Sequence, residues 1–288
     1  MKTFDYERPA TLAEACSLLG NSSLRTKVLA GGTDVLVELR RKNARTPDCL
    51  VDISAIAELR GISLSGKGIS IGALTTHSEL VDSPILRKHV PLLPEAAETI
   101  GAVQIRNRGT MGGNIMNAAT CADTVPPLIA LNAAVVLRSV RGERELPLVD
   151  LYTEPYRTAT TPDELLTTVR FDKPVAGTKG AFIKLGRRNA LAISRLSVAC
   201  LIRQDSAGVI EDIHLVPGAA TPTWARMTDA ENILRGKRPT KALIEEAGRS
   251  VSASMIRVTG RRWSTAYKEP VIATLAERAI IRCCKKFF

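Results

Sequence analysis

Aromatic residues make up only 4 % of this 288-residue chain, and it holds 3 histidines and 6 scattered cysteines. Lys plus Arg outnumber Asp plus Glu by 40 to 29, for a formal charge of +11. Such an excess invites a nucleic-acid reading. The basic runs (Arg40-Arg41-Lys42, Arg235 to Arg238, Arg261-Arg262, Lys285-Lys286) are short, dispersed and not interleaved with aromatics. A single-strand groove needs stacking platforms beside its charges, so the runs read as solvated surface and docking faces for acidic partners, with no nucleic-acid role. The cysteines form no C-x-x-C, and Cys283 and Cys284 are adjacent, a poor arrangement for joint ligation. Free thiols in a reducing compartment are expected, and no metal site.

His77, His89 and His214 are far apart, and no Ser-His-Asp pattern, G-x-S-x-G elbow or carboxylate cluster is present. His77, after Thr75-Thr76, reads as an exposed polar residue at a helix start. Neither G-x-G-x-x-G nor G-K-[ST] occurs, which disfavours a Rossmann site and a P-loop. No apolar run reaches the ~18–20 residues of a membrane span. The opening MKTFDYERPA lacks the apolar stretch of a signal peptide, so a cytoplasmic chain is expected.

What is present fits a globular chain. A hydrophobic fraction of 45 % excludes disorder, collagen-like repeats and a disulfide miniprotein. The length suggests two domains. Thr11 with Glu14 predicts a capping box for a helix through Leu19, ended by Gly20 in the left-handed conformation. Lys27 to Ala30 and Cys49 to Ile53 read as strands, with a glycine turn and a short helix between them that runs into Arg40 to Arg45. Ile62–Leu64 with Ile69–Ile71 reads as a hairpin, as does Ala134–Val140 with Arg144–Leu146. Thr76 and Glu79 predict a second capping box for a helix that stops before Pro84. Leu92 to Ile100 reads as a helix closed by Gly101, and Gln104 to Pro127 as a long irregular segment. After a boundary near residues 172–180, three alternating strands (Gly180–Leu185, Leu196–Arg203, Val209–Val216) precede helices over Thr228–Arg235, Thr240–Ala253 and Thr265–Arg282. Strands followed by helices indicate an α+β arrangement.

Two glycine pairs stand out, Ala30-Gly31-Gly32-Thr33-Asp34 and Thr110-Met111-Gly112-Gly113-Asn114, each read as lying in a loop. Glycine lets a backbone approach a ligand closely, and successive N–H groups in such a turn can hold a phosphate. A helix that follows at once, as after Gly32, adds partial positive charge. Two such loops point to a diphosphate ligand.

The two motifs also resemble one family. Leu29 to Asp34 and Gly109 to Ile115, about eighty residues apart, are similar to the signature of the FAD-binding medium subunits of molybdenum hydroxylases such as xanthine and carbon monoxide dehydrogenases. Supporting matches include Ile71 to Thr76, Gln104-Ile105-Arg106-Asn107, Ala122-Asp123, Lys184 with Arg187-Arg188, and Tyr267-Lys268. The resemblance implies a PCMH-type FAD-binding domain over 1–175, with α/β subdomains of about 1–55 and 56–175. A C-terminal α+β domain over 176–288 would follow, with the flavin ring between the two. It assigns Val28, Leu29, Ala30, Gly31, Gly32, Thr33, Asp34 and Val35 to the FAD diphosphate. Ile100 and Gly101 would meet the cofactor from a helix end, and Thr110, Gly113, Asn114 and Met116 would form a second cradle. Asp123 would hold a sugar hydroxyl. Leu166 and Lys184 would approach from the C-terminal side, with Lys184 near the ring, where a cation favours the anionic reduced flavin. On its residues alone, Lys184 also reads as a surface strand lysine and Asp123 as a helix cap.

The implied activity is electron relay without a side-chain general base. A large partner subunit would carry the molybdenum cofactor and a small one two [2Fe–2S] clusters. NAD or another acceptor would take the electrons, within a dimer of heterotrimers. The cysteine-rich insertion of one branch, which binds a [4Fe–4S] cluster, is absent from the sequence. Two other readings stay open here: a stand-alone PCMH-fold oxidoreductase, and a non-catalytic module holding another phosphate ligand.

Overall fold

The structure, a computed structural model, describes residues 3–41 and 46–284. The basic stretch Lys42–Arg45 and the tail Lys285–Phe288 lie outside the described residues.

The chain opens with a small parallel sheet. Strands β1 (Asp5–Glu7), β2 (Thr26–Leu29) and β3 (Cys49–Asp52) pair in the order β1-β3-β2. Helices α1 (Leu12–Leu19) and α2 (Val35–Leu39) connect them. Thr11 and Glu14 form the expected capping box. Gly20 does not take the left-handed conformation: its φ is −71°, and its N–H closes the helix on Cys16 O. Strand β1 was not read from the sequence, being three exposed residues with no apolar alternation.

A five-stranded antiparallel sheet follows. It comprises β4 (Ile62–Ser65), β5 (Gly68–Gly72), β6 (Ala134–Ser139), β7 (Gly142–Pro147) and β10 (Leu165–Asp172), in the order β4-β5-β10-β6-β7. A short ribbon of β8 (Tyr152–Glu154) and β9 (Arg157–Thr158) precedes β10. Between β5 and β6 the chain builds α3 (His77–Asp82), α4 (Pro84–His89), α5 (Leu92–Glu98), α6 (Val103–Arg106), α7 (Met111–Met116) and α8 (Val125–Ala130). The segment Gln104–Pro127 is therefore not irregular throughout. Its helices are too short to show an apolar period.

The last part holds β11 (Lys179–Leu185), β12 (Leu196–Gln204) and β13 (Ile210–Gly218), an antiparallel sheet in chain order, then α9 (Thr228–Leu234), α10 (Lys241–Thr259) and α11 (Thr265–Cys283). Alternation along these strands divides them between two cores. Phe182, Ala199, Leu201 and Val216 join the core of the five-stranded sheet and its helices. Ala181, Val198, Cys200, Ile202, Ile213 and Leu215 pack under α9 to α11. The first face lies against α5 and α8, so the C-terminal sheet is locked to the preceding helices by apolar burial. The six cysteines are free thiols. Among the described residues no helix is long and apolar enough to cross a membrane.

Candidate functional site

Residues Ala30 to Asp34 leave the end of β2 and enter α2. Val28 and Ala30 pack on the core of the small sheet, and Leu29 O accepts from Ile53 N at 3.0 Å. Gly32 turns the chain with φ +78°. A Cβ on Gly31 would stand 1.9 Å from Arg108 O, so only glycine lets this loop rest on the backbone ahead of the second motif. Among the described residues, none of the N–H groups of Ala30, Gly31, Gly32, Thr33 and Asp34 donates a hydrogen bond within the chain. The carboxylate of Asp34 makes no cap bond to α2 and, among the described residues, receives only the Thr33 hydroxyl, at 3.5 Å. Helix α2, which begins at Val35, has five residues, so the individual amides matter here more than a helix dipole. Adjacent donors without partners, on a partly exposed loop, suit a diphosphate.

The second pair is organised differently, and the expectation of a loop is corrected. Thr110 is the N-cap of α7, and Gly112 and Gly113 form its first turn. Met111 N donates to Thr75 O and Gly112 N to Ala73 O, both at 2.8 Å. Gly113 N donates to Thr110 Oγ1 at 3.1 Å and Asn114 N to Thr110 O at 3.0 Å. Gly112 is required by crowding: a Cβ there would lie 2.7 Å from Ala73 Cβ and 2.8 Å from Ala73 O. What this cradle can present is side chain and surface, not amides. Asn114 Oδ1 accepts from Thr124 Oγ1 at 2.7 Å, and Met116 is half-buried on the same helix.

His77 lies beneath this turn. It is 3 % exposed, which overturns the reading of an exposed residue. Its N–H donates to Gly109 O at 3.0 Å, and its Nδ1 has no partner. Burial, with Arg106 nearby, lowers its pKa to about 4, so the imidazole is neutral at pH 7. Arg106 braces the turn after α5, donating to Ile100 O at 3.1 Å and Gly101 O at 3.2 Å. Gly101 there takes φ +47°.

Asp123 and Lys184 meet across the two halves of the chain. Lys184 Nζ lies 2.7 Å from Asp123 Oδ2 and donates also to Thr99 O at 2.9 Å. The Ser194 hydroxyl donates to Asp123 Oδ1. The Lys184 and Asp123 side chains are 11 % and 5 % exposed, so Lys184 is no surface lysine. Asp123 does not cap α8, whose N-cap is Thr124. Burial pushes the Asp123 carboxyl above the usual range, opposed by the Lys184 ammonium and the Ser194 hydroxyl. Removing one partner of such a pair leaves a buried charge uncompensated, a loss of about 3–5 kcal/mol. Burial raises the Cys121 thiol, with smaller contributions from the carboxylates of Asp123 and Asp34.

The fold thus gathers the Ala30–Asp34 loop, the 108–116 segment, the Ile100–Gly101 turn, Asp123 and Lys184. Leu166 stands apart: it is 2 % exposed on β10, opposite Leu137, inside the core of the N-terminal part rather than on the C-terminal side. Sequence reasoning missed Ser194 and the Thr99 carbonyl, which no motif marks. Arg106 is visible in the sequence only as part of the Gln104–Asn107 match, which does not mark its brace on Ile100 and Gly101.

Residues 2–174 match the family model described as the FAD binding domain in molybdopterin dehydrogenase. Residues 181–283 match the CO dehydrogenase flavoprotein C-terminal domain. The chain is 36 % identical over 277 residues, 96 % of its own length and 94 % of the relative's, to the "Putative xanthine dehydrogenase FAD-binding subunit XdhB" of Escherichia coli. It is 33 % identical to the "Nicotinate dehydrogenase FAD-subunit" of Eubacterium barkeri, over 98 % of this chain and 96 % of that one. A solved carbon monoxide dehydrogenase from Hydrogenophaga pseudoflava superposes with a TM-score of 0.92 at 31 % identity, covering 99 % of both chains. The chain belongs to the FAD-binding medium-subunit family of the molybdenum hydroxylases, and is an oxidoreductase subunit.

Proposed function

We propose that this chain carries FAD as the electron-relay subunit of a xanthine dehydrogenase-like hydroxylase. It would receive electrons from [2Fe–2S] clusters in a small partner and pass them to NAD or another acceptor. A large partner would hold the molybdenum cofactor and act on the organic substrate, in a dimer of heterotrimers. A cytoplasmic setting suits the free thiols. The observation that carries the flavin reading is the run of amides from Ala30 to Asp34 with no partner among the described residues. Bound FAD supplies the step between single-electron and two-electron carriers.

The residues divide the binding task. The amides of Ala30 to Asp34 would hold the diphosphate, with Val28, Leu29 and Val35 as the frame of that loop. Thr110, Gly113, Asn114 and Met116 on α7, with Ile100 and Gly101, would shape the opposite wall. Lys184 is fixed between Asp123 and Thr99 O, where its charge can act on the ring. Leu166 would act from behind, through packing. The test is the visible spectrum of the purified chain with the released cofactor identified, beside a Gly32→Asp variant. FAD near one per chain in the parent and none in the variant is expected. A parent that stays colourless with added FAD overturns the reading.

A further inference from the structure

The β11–β12 connection, residues 186–195, leaves the C-terminal sheet beside the proposed flavin site. A Cβ on Gly186 would lie 2.5 Å from Ala192 Cβ, so the neck of this loop closes on itself. The Arg188 guanidinium braces its tip, with Nε donating to Ala190 O at 3.1 Å and Nη2 to Leu191 O at 2.6 Å. Leu191 is held at φ +54°, and the tip exposes 54 % of Leu191 and 77 % of Ile193. A self-braced loop moves as one body about its two ends. Those ends are Lys184, just inside β11, and Ser194, just before β12. Both rest on one carboxylate: Lys184 Nζ on Asp123 Oδ2 and the Ser194 hydroxyl on Asp123 Oδ1. Among the described residues, the only other hydrogen bond from this stretch to the N-terminal part is Lys184 to Thr99 O.

We propose that Asp123 is a positioning residue that clasps the 186–195 loop, holding both of its ends on a single buried carboxylate. Each Asp123 oxygen accepts one hydrogen bond from the loop's flanks and keeps a second lone pair, so the clasp is compatible with a sugar hydroxyl on the same carboxylate. A charge-assisted hydrogen bond is worth more than a neutral one, and burial removes the competing water. The loop's position beside the cofactor therefore depends on one side chain from the other half of the chain, with the Thr99 carbonyl as a second hold on Lys184 alone. The loop's relation to a flavin rests on the function proposed above; the clasp does not.

Limited trypsin digestion of the full-length chain, with and without FAD, tests this at the exposed Arg187 and Arg188. Cleavage of a folded protein follows local opening. Ser194→Ala is expected to speed cleavage there about tenfold, the loss of one hydrogen bond to a charge, and Asp123→Asn on the order of a hundredfold. Ser194→Thr, which restores the hydroxyl, should return the rate close to the parent's. In the FAD-loaded Ser194→Ala chain, iodide should quench flavin fluorescence more than in the parent. Unchanged cleavage at Arg187 and Arg188 in Ser194→Ala, in a chain that melts like the parent, would overturn the clasp. So would an equal rise at every tryptic site, the mark of general loosening. Asp123→Asn that loses FAD without altering cleavage of the cofactor-free chain would make Asp123 a cofactor ligand only. If no FAD binds at all, the cofactor-free series still decides, and only the flavin reading falls. If Asp123→Asn does not fold, the Ser194 pair stands alone.

Discussion

Among the described residues the backbone N–H groups of Ala30 to Asp34 have no partner, whereas those of Met111 to Asn114 are all taken, by Thr75 O, Ala73 O and the Thr110 cap. In sequence the two segments look like one device used twice: a glycine pair followed by a hydroxyl or amide residue. In the structure the first pair opens a loop and leaves donors that no described residue takes. The second starts a helix pressed onto residues 73–75. A Gly-Gly pair thus signals close backbone approach, and only the surrounding hydrogen bonds say whether a ligand or the protein itself comes close.

The largest expected effect lies where the two regions touch. Gly31→Ala would drive a Cβ into Arg108 O, which is backbone and cannot swing away. A loss of about 3 kcal/mol or more in cofactor-free stability is expected, measured by urea unfolding. A near-parental midpoint would mean that the loops do not rest on each other.

His77, under the second motif, gives a pH test of comparable size. Its pKa is depressed from 6.5 to about 4 in the folded state, so the unfolded chain binds more protons between those values. Stability must then fall as pH drops through that window. At about 1.4 kcal/mol for each pH unit between the two values, the full loss is about 3 kcal/mol by pH 4. His77→Leu should flatten this part of the stability profile. A slope unchanged by the substitution would assign it to other groups.

A subtler pair separates ligand binding from folding. Thr33→Glu places a carboxylate beside the open amides. FAD affinity should fall about thirtyfold, or about 2 kcal/mol, with the melting of the cofactor-free chain unchanged. Thr110→Ala should do the reverse. It removes the cap of α7 and about 1 kcal/mol of cofactor-free stability, with little direct effect on the diphosphate. Fluorescence titration with FAD and thermal melts read both, and identical behaviour of the two variants would erase the distinction.

Much of this was legible in advance. The capping boxes at Thr11 and Thr76 follow from side chains a few residues apart, and the hairpins and C-terminal strands from period-two alternation. The site was legible where it depends on backbone freedom, at Gly31, Gly32 and Gly101. It was not where long-range packing decides. That α7 begins at Met111 depends on acceptors at residues 73–75, and that His77 is buried depends on Gly109 arriving over it. Helices of four to six residues such as α6 and α7 are too short for a periodic signal, so Gln104–Pro127 reads as loop. The Asp123–Lys184–Ser194 cluster joins residues 61 and 71 positions apart, beyond any local pattern.

The central claim, that one glycine loop offers amides and the other does not, is most directly tested by amide hydrogen exchange resolved to residues 30–34 and 111–114, with and without FAD. The account predicts fast exchange at 30–34 that slows on adding FAD, and slow exchange at 111–114 in both states. Protection by FAD at 111–114 with none at 30–34 would contradict it.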